Sequence, residues 1–224
     1  MTYETTDLKL DIERIGTVYA ILTQPPKARA CYVLAHGAGA DMRHAFMEKV
    51  AEGLAHRGIA TFRFNFPYME KKLGRPDSPT VAHAAVRAAV AEAARLCPGL
   101  KLVAGGKSFG GRMTSQAQSK SPLPDVKGLA FLGFPLHAAK KPSRERADHL
   151  AAIAIPMLFL QGTRDELADL AHLRPVIERL GKATLHEVEG GDHSFAVLKK
   201  SGRTNDEALT EVLDTLATWI DALA

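Results

Sequence analysis

Five consecutive residues combine a nucleophilic side chain with glycines at the spacing of a sharp turn. The stretch Gly106–Gly110 has the sequence Gly-Lys-Ser-Phe-Gly, and it closely follows the apolar run Leu102–Ala104. A strand, a tight turn and a helix form the setting in which a G-x-S-x-G serine acts as a nucleophile. Glycines relieve crowding at the strained apex, and the start of the next helix stabilises a developing oxyanion. The pattern therefore predicts that Ser108 is a nucleophile.

The same stretch contains Gly-Lys-Ser, which also ends the phosphate-binding P-loop. That motif requires a glycine five positions before Gly106. Lys101 occupies that position, so the spacing excludes a P-loop.

A serine hydroxyl needs a base, and two glycine-bearing loops after predicted strands supply the partners. The loop Gly162–Glu166 contains Asp165, and the loop Glu189–Phe195 contains His193. The chain order Ser, Asp, His is the one expected for a serine on such an elbow. Histidine takes the hydroxyl proton, and the acid fixes the imidazole tautomer. We therefore predict Ser108 as nucleophile, His193 as base and acid, and Asp165 as the orienting carboxylate.

Other side chains near these loops leave alternatives open. Glu166 or Asp169 could replace the predicted orienting acid. Asp192 adjoins the predicted base, but we expect it to point the wrong way to orient the ring. His186 lies within a predicted strand, where alternation places it on a face of the sheet.

A fourth loop offers backbone donors to the serine. The strand that ends at Ala35 runs into His36–Asp41, with the sequence His-Gly-Ala-Gly-Ala-Asp. Such a loop turns backbone N–H groups towards a nucleophile, so we predict an oxyanion hole formed by the N–H groups of Ala38 and Phe109. The alternative is a simple turn between a strand and a helix.

Residues that follow strand ends are candidates for lining a substrate pocket, although they could equally be core or rim. They are His36, Gly37, Gly39, Phe66, Tyr68, Met69, Leu136 and His137.

The predicted site has little chain available to cover it. About twenty residues separate the strands that end at Gly133 and begin at Ile155, so we expect at most one lid helix and an open site. This segment carries Lys140, Lys141, Arg144 and Arg146, which form either a solvated face or an attraction for anionic substrates.

Strands and helices alternate along the chain. An opening antiparallel hairpin spans residues 8–14 and 17–22, and after each later strand comes a helical or loop segment. The predicted strands are 31–35, 59–64, 102–104, 128–133, 155–161 and 183–188, and helices are predicted over 46–54, 78–96 and from 204 onwards. This pattern predicts an α/β fold whose mostly parallel sheet has an antiparallel N-terminal edge and helices on both faces.

The length, composition and charge of the sequence limit the class of protein. The 224 residues, of which 46% are hydrophobic, fit a single domain over 1–224. A formal charge of +4 is too small and scattered to indicate nucleic-acid binding. There is no signal-peptide pattern and no apolar stretch of about 18 residues, which argues against a membrane protein. We expect a cytoplasmic protein with no metal and no cofactor, and the oligomeric state is left open.

Four stretches of the sequence carry a family resemblance: His36–Gly39, Gly106–Arg112, Gly162–Asp165 and Gly191–Phe195. They stand in the order found in the α/β-hydrolase superfamily, which the sequence resembles over nearly its whole length. Two further stretches are Asn65–Met69 and Gly133–His137. With them the sequence more narrowly resembles a dienelactone-hydrolase-like group that includes testis-expressed protein 30 and a regulatory subunit of the non-specific-lethal acetyltransferase complex.

The resemblance implies an α/β-hydrolase fold and a hydrolytic activity. Dienelactone hydrolase itself uses a cysteine nucleophile, whereas this sequence has Ser108. We therefore expect a serine hydrolase that cleaves small carboxylic esters or thioesters through an acyl-enzyme. The alternatives are a non-catalytic interaction protein that retains the fold, and a small serine peptidase, although neither a propeller nor a large cap accompanies this domain.

Overall fold

An eight-stranded sheet runs through residues 2–224, the part of the chain that the computed structural model describes. The strands are β1 (Glu4–Ile12), β2 (Gly16–Gln24), β3 (Ala30–Ala35), β4 (Ile59–Phe64), β5 (Lys101–Lys107), β6 (Val126–Leu132), β7 (Met157–Gly162) and β8 (Ala183–Val188). Their spatial order is β1-β2-β4-β3-β5-β6-β7-β8. Strands β3 to β8 are parallel, and β1 and β2 form an antiparallel edge. This confirms the predicted sheet.

From β3 onwards, helices lie between successive strands. They are α1 (Ala45–Ala55), α2 (Pro67–Glu70), α3 (Pro79–Leu96), α4 (Phe109–Lys120), α5 (Leu170–Glu178) and α6 (Asn205–Ala222), with short 3-10 helices at Glu145–Ala152 and Lys199–Ser201. Every helix among residues 2–224 is too short or too polar to cross a lipid bilayer.

The sheet separates two hydrophobic clusters. Along β3, Cys31 and Val33 pack into one cluster, while Tyr32 and Leu34 pack into the other, because successive side chains of a strand point to opposite faces. Helices α3, α4 and α5 cover the first face, and α1 and α6 cover the second. Burial on both faces explains why β3 is a continuous apolar run without alternation.

Local sequence signals set several helix boundaries. Helix α3 begins with Pro79 after Ser78, and its buried stripe is largely alanine, which lets it lie close to the sheet. Helix α6 begins with a capping box in which the Glu207 N–H donates to Thr204 Oγ1 at 3.2 Å, and the Thr204 N–H donates to the Glu207 carboxylate at 2.7 Å.

The structure differs from the sequence-based boundaries where short or irregular elements occur. Strand β5 continues through two glycines, Gly105 and Gly106, whose φ angles of 154° and 147° suit only glycine. Helix α2 has four residues, and α5 contains Pro175, so neither shows a clear helical pattern. The segment between β6 and β7 forms a 3-10 helix that packs on α4 through Ala147 and Leu150.

Candidate active site

Ser108 stands at the apex of the turn between β5 and α4. Its φ of 50° and ψ of −115° lie outside the regions that non-glycine residues usually adopt. The surrounding backbone holds this conformation: the Ser108 N–H donates to the Leu132 carbonyl at 3.2 Å, and the Ser108 carbonyl accepts from the Arg112 N–H at 3.1 Å. A strained serine that the fold over-determines is the geometry of a nucleophile elbow.

Glycines next to the serine allow the elbow to contact neighbouring backbone. A Cβ atom at Gly106 would overlap the Ala35 carbonyl oxygen, and one at Gly110 would lie 2.6 Å from the His36 carbonyl oxygen. The end of β3 and the first turn of α4 therefore pack backbone against backbone. This contact brings the loop after β3 alongside Ser108, where a Cβ at Gly37 would lie 3.6 Å from the serine Cβ.

His193 and Asp165 form a hydrogen-bonded pair between the loops that follow β8 and β7. His193 Nδ1–H donates to Asp165 Oδ2 at 2.7 Å. The acid side chain is fully buried, whereas 26% of the histidine side chain is exposed. This arrangement fixes the Nδ1–H tautomer and leaves Nε2 as the free basic nitrogen.

Two further donors hold the Asp165 carboxylate. The side-chain amide of Gln161 donates to Oδ2, and the Leu167 N–H donates to Oδ1 at 2.8 Å. The Gln161 amide is oriented by the Phe134 N–H, which donates to its Oε1 at 2.9 Å. With His193, the buried carboxylate accepts three hydrogen bonds, which is what a buried charge requires.

The two loops carrying the acid and the base are packed closely together. A Cβ at Gly162 would overlap the backbone of Gly191, and the Arg164 N–H donates to the Gly191 carbonyl at 2.8 Å. The Gly190 N–H donates to Thr163 Oγ1 at 2.8 Å. This backbone contact sets the position of His193 relative to Asp165.

The neighbouring acids have other roles. The Asp192 carboxylate accepts from the N–H groups of Ser194 and Ala196 at 2.8 and 2.9 Å, and so shapes the histidine loop. Asp169 caps α5 by accepting from the Ala171 N–H at 2.8 Å. Glu166 is exposed. The structure thus pairs Asp165, and none of these three acids, with His193.

The other histidine near this end of the chain lies elsewhere. His186, on β8, pairs through Nε2 with Glu211 of α6 at 2.7 Å.

His36 organises the loop that follows β3. Its Nε2 accepts from the Phe66 N–H at 3.0 Å, so Nδ1 carries the proton and donates to the Gly37 carbonyl at 2.8 Å. Burial lowers the pKa of His36 to about 4, and the ring therefore stays neutral at ordinary pH. Because the Gly37 carbonyl is held by His36 and Tyr68 Oη, the conformation of the loop is fixed around Ala38.

Two backbone N–H groups are available beside the serine. Among residues 2–224, the N–H groups of Ala38 and Phe109 donate to no other protein group. The Phe109 N–H is also the first of helix α4, at the positive end of its dipole. Both groups suit the role of donors to an oxyanion.

A cavity of about 350 Å³ joins these parts. Ser108 and His193 both contribute to its wall, and Ser108 Oγ makes no hydrogen bond to His193 in the described part of the chain. Catalytic hydrogen bonds in unliganded enzymes are often long and tighten only in the substrate complex. The lining residues are Gly37, Ala38, Gly39, Ala40, His44, Phe46, Met47, Lys107, Ser108, Leu167, His193 and Ser194.

The candidate pocket residues separate into two groups. Gly37 and Gly39 line the cavity. The predicted pocket residues that are instead buried in the core are His36, Phe66, Tyr68 and Leu136. Met69 is half-buried and packs against the core.

The buried aromatic residues support the site from behind. The Phe66 ring lies 5.0 Å from His36 and 5.3 Å from Phe109, and Tyr68 lies 6.4 Å from Phe109. These rings pack behind the loop that follows β3 and behind the elbow, because Phe66 and Tyr68, at the start of the short helix α2, are turned into the core. His137 also acts as a support: its Nε2 accepts from the Asp169 N–H at 2.9 Å, and its N–H donates to the Leu167 carbonyl at 3.0 Å.

Several residues of the site were missed by sequence reasoning. Phe46 and Met47 form a wall of the cavity, although their helical spacing indicates only core packing. Gln161 is the single polar residue in an apolar strand, and this was the available signal for its role. In the basic segment, Lys140, Lys141 and Arg144 are exposed and Arg146 is half-buried, so its attraction for anionic substrates stays a prediction.

Comparisons with known proteins agree with this architecture. A family model described as "Alpha/beta hydrolase domain" matches residues 28–221. A dienelactone hydrolase from Anabaena variabilis superposes with a TM-score of 0.79 at 19% identity, covering 100% of this chain and 99% of the other. A serine hydrolase without a lid from Xanthomonas campestris gives a TM-score of 0.73 at 21% identity, covering 100% and 99%.

A cold-adapted esterase from an Arctic intertidal metagenomic library gives a TM-score of 0.68 at 20% identity, covering 97% of this chain and 94% of the other. At these identities the structures show a shared fold. The predicted α/β-hydrolase fold is confirmed.

Proposed function

Because the chain belongs to the alpha/beta hydrolase domain family, we propose that it is a serine hydrolase that cleaves small carboxylic esters or thioesters through an acyl-enzyme. The observation that carries the proposal is the convergence of a strained Ser108 and the Asp165-oriented His193 on one cavity. Asp165 is the orienting acid, and the N–H groups of Ala38 and Phe109 form the oxyanion hole.

The first half-reaction forms the acyl-enzyme. Ser108 Oγ bonds to the substrate carbonyl carbon while its proton passes to His193 Nε2, and the carbonyl oxygen becomes an oxyanion. The Ala38 and Phe109 N–H groups donate to that oxygen. The bond from carbon to the leaving alcohol or thiol then breaks, and the histidine proton goes to the leaving group.

The second half-reaction restores the serine. Water gives a proton to His193 Nε2 and bonds to the acyl carbon, forming a second oxyanion in the same place. The bond between the carbon and Ser108 Oγ breaks, Oγ regains a proton from His193, and the carboxylic acid leaves. Throughout, the buried Asp165 carboxylate stabilises the imidazolium through its hydrogen bond to Nδ1.

The size of the cavity supports small substrates. A volume of about 350 Å³ lies at the lower end of the range for small-molecule sites. Its wall joins apolar side chains such as Phe46, Met47 and Leu167 to the backbone of the loop that follows β3. An acyl group of modest length can therefore be buried beside the nucleophile, in keeping with a small ester or thioester.

The narrower resemblance to the dienelactone-hydrolase-like group with testis-expressed protein 30, and a cytoplasmic location, remain predictions from the sequence. Within that group a non-catalytic protein that retains the fold is the principal rival to the proposed enzyme. A small serine peptidase is the other rival, and amide substrates distinguish it from an esterase.

A fluorophosphonate probe tests the proposal, with p-nitrophenyl acetate as a substrate. We expect labelling and turnover in the wild-type protein and neither in Ser108→Ala. Ser194→Ala is the matched control, because Ser194 lines the same cavity and should leave labelling intact. Labelling that survives Ser108→Ala, or a wild-type protein that is neither labelled nor active, would overturn the proposal.

A further inference from the structure

Lys107 lies between the two halves of the candidate site. It precedes Ser108 on the elbow, yet its Nζ donates a hydrogen bond to the backbone carbonyl of His193. Only 8% of the residue is exposed, and the exposed part lines the cavity with Ser108 and His193. One side chain therefore links the backbone of the nucleophile to the backbone of the base.

The surroundings of this ammonium group are tightly packed and lack a direct counter-ion. Nζ lies 5.8 Å from the centre of the Phe46 ring, and a Cβ added at Gly133 would lie 3.0 Å from it. None of the ion pairs found among residues 2–224 includes Lys107. A buried unpaired charge is costly, and an apolar side chain of similar length would fill the space without that cost. The charge at this position therefore calls for a functional explanation.

Charged and titratable groups from three neighbouring segments surround Lys107. Asp165 follows β7, Asp192 and His193 follow β8, and His44 stands at the start of α1 on the wall of the same cavity. Burial lowers the pKa of Lys107 to about 8, although the attraction of the Asp165 and Asp192 carboxylates opposes this shift. The ammonium group is thus charged at pH 7 and loses its proton within the working range of many enzymes.

We propose that Lys107 is a positioning residue, whose ammonium group holds the backbone of His193 so that the imidazole meets Ser108 at the distance that proton transfer requires. The inference rests on the proposed serine-hydrolase function. A charged donor makes a stronger hydrogen bond to a carbonyl than a neutral amine does. Holding the base matters because a small misplacement of a catalytic group is enough to slow proton transfer and attack.

Lys107→Met tests the proposal, because methionine fills similar space without a charge or a donor. We expect kcat to fall about tenfold to a hundredfold, the size of effect that a misplacement of about 1 Å produces. KM should change little, because Lys107 acts on the base rather than on the substrate. Fluorophosphonate titration of active sites separates a slower enzyme from a partly unfolded one.

Lys101→Met is the matched control. Lys101 begins the same strand, and its Nζ also donates to backbone carbonyls, those of Ile220 and Asp221 at 3.1 and 3.3 Å. It lies at the opposite end of β5 from Ser108. The control should therefore affect the end of α6 and leave kcat unchanged.

The pH dependence of kcat gives a readout that simple filling of space would not move. The wild-type and Lys101→Met proteins should lose activity on the alkaline side as Lys107 deprotonates near pH 8. Lys107→Met should lack that loss. The inference would be overturned if Lys107→Met had the kcat of the wild type, or if Lys107→Met and the wild type lost activity alike at alkaline pH. Either result would leave the proposed function standing.

Hydrogen exchange gives a readout that needs no turnover. In Lys107→Met, amides of residues 189–197 should exchange faster than in the wild type and in Lys101→Met, because the loop has lost its tie to the elbow. Unchanged exchange in this loop would show that Lys107 does not hold it. An inactive wild type would refute the proposed function instead. Because hydrogen exchange needs no activity, it tests the role of Lys107 separately from the proposed function.

Discussion

The side-chain amide of Gln161 donates a hydrogen bond to the Asp165 carboxylate. The acid that orients His193 is therefore itself held by a residue of β7, the strand that precedes it in the chain. The Phe134 N–H donates to the other end of the same amide at 2.9 Å and sets which atom is the donor. A chain of hydrogen bonds thus runs from the Phe134 N–H, through the Gln161 amide and the Asp165 carboxylate, to the His193 ring.

Gln161→Leu should lower kcat about tenfold to a hundredfold, since a hydrogen bond to a charged group contributes about 1.5–3 kcal/mol. KM should change little. Steady-state kinetics on p-nitrophenyl acetate measure both. Gln118→Leu is the control, because Gln118 is also buried and accepts from the Leu123 N–H at 2.7 Å outside the site. Equal kcat in the two variants would contradict the role of Gln161.

Asp165→Asn should reduce kcat by about 10³–10⁴-fold, because an amide at this position favours the wrong imidazole tautomer. Circular dichroism should show an intact fold. Asp169→Asn is the control: Asn caps helices as well as Asp does, so α5 and the activity should be preserved. If Asp169→Asn removed activity and Asp165→Asn did not, the assignment of the acid would be wrong.

Gly110→Ala should destabilise the protein strongly or prevent folding, because its Cβ would lie 2.6 Å from the His36 carbonyl oxygen. Thermal unfolding measures the effect as a lower Tm. Gly181→Ala places the same methyl group in open space, and we expect a Tm close to that of the wild type. Similar Tm values for the two variants would show that the elbow does not pack against β3 as described.

The free energy of unfolding should fall as the pH is lowered from about 6.5 to about 4. Burial lowers the pKa of His36 and of His149 to about 4, while both have values near 6.5 in the unfolded chain. The unfolded state therefore binds more protons in this window, which favours unfolding. Urea titrations at several pH values measure the slope.

His149→Gln should make that slope shallower without affecting catalysis, because His149 contacts Ser115 Oγ at 2.7 Å and neither residue lines the cavity. His56→Gln removes an exposed histidine without touching either buried ring, and serves as the control. A slope that His149→Gln leaves unchanged would show that burial of this ring does not drive the acid sensitivity.

The sequence was sufficient to predict the sheet and most of its elements. Strand β4 has the predicted bounds, Ile59–Phe64, directly after the glycine that ends the preceding helical segment, and α6 begins at the predicted capping box. Strand-end loops were also sufficient to nominate Ser108, Asp165 and His193, because parallel strands bring their carboxyl ends to one edge.

What could not be predicted depends on side-chain direction and on contacts between distant segments. Phe66 and Tyr68 follow a strand end, as pocket residues often do, but α2 turns them into the core. Phe46 has the spacing of a core residue, and it lines the cavity as well as packing against the core. The partner of Lys107 lies 86 positions along the chain, and no local pattern indicates such a contact.

Trapping the acyl-enzyme tests the central claim most directly. The protein is mixed with p-nitrophenyl acetate, quenched in acid and digested, and the site of acetylation is located by mass spectrometry. We predict an acetyl group on Ser108 that is absent from Ser108→Ala and that accumulates before steady state. Ester turnover with no acetyl group on Ser108, or with the acetyl group on the neighbouring Lys107, would contradict the account.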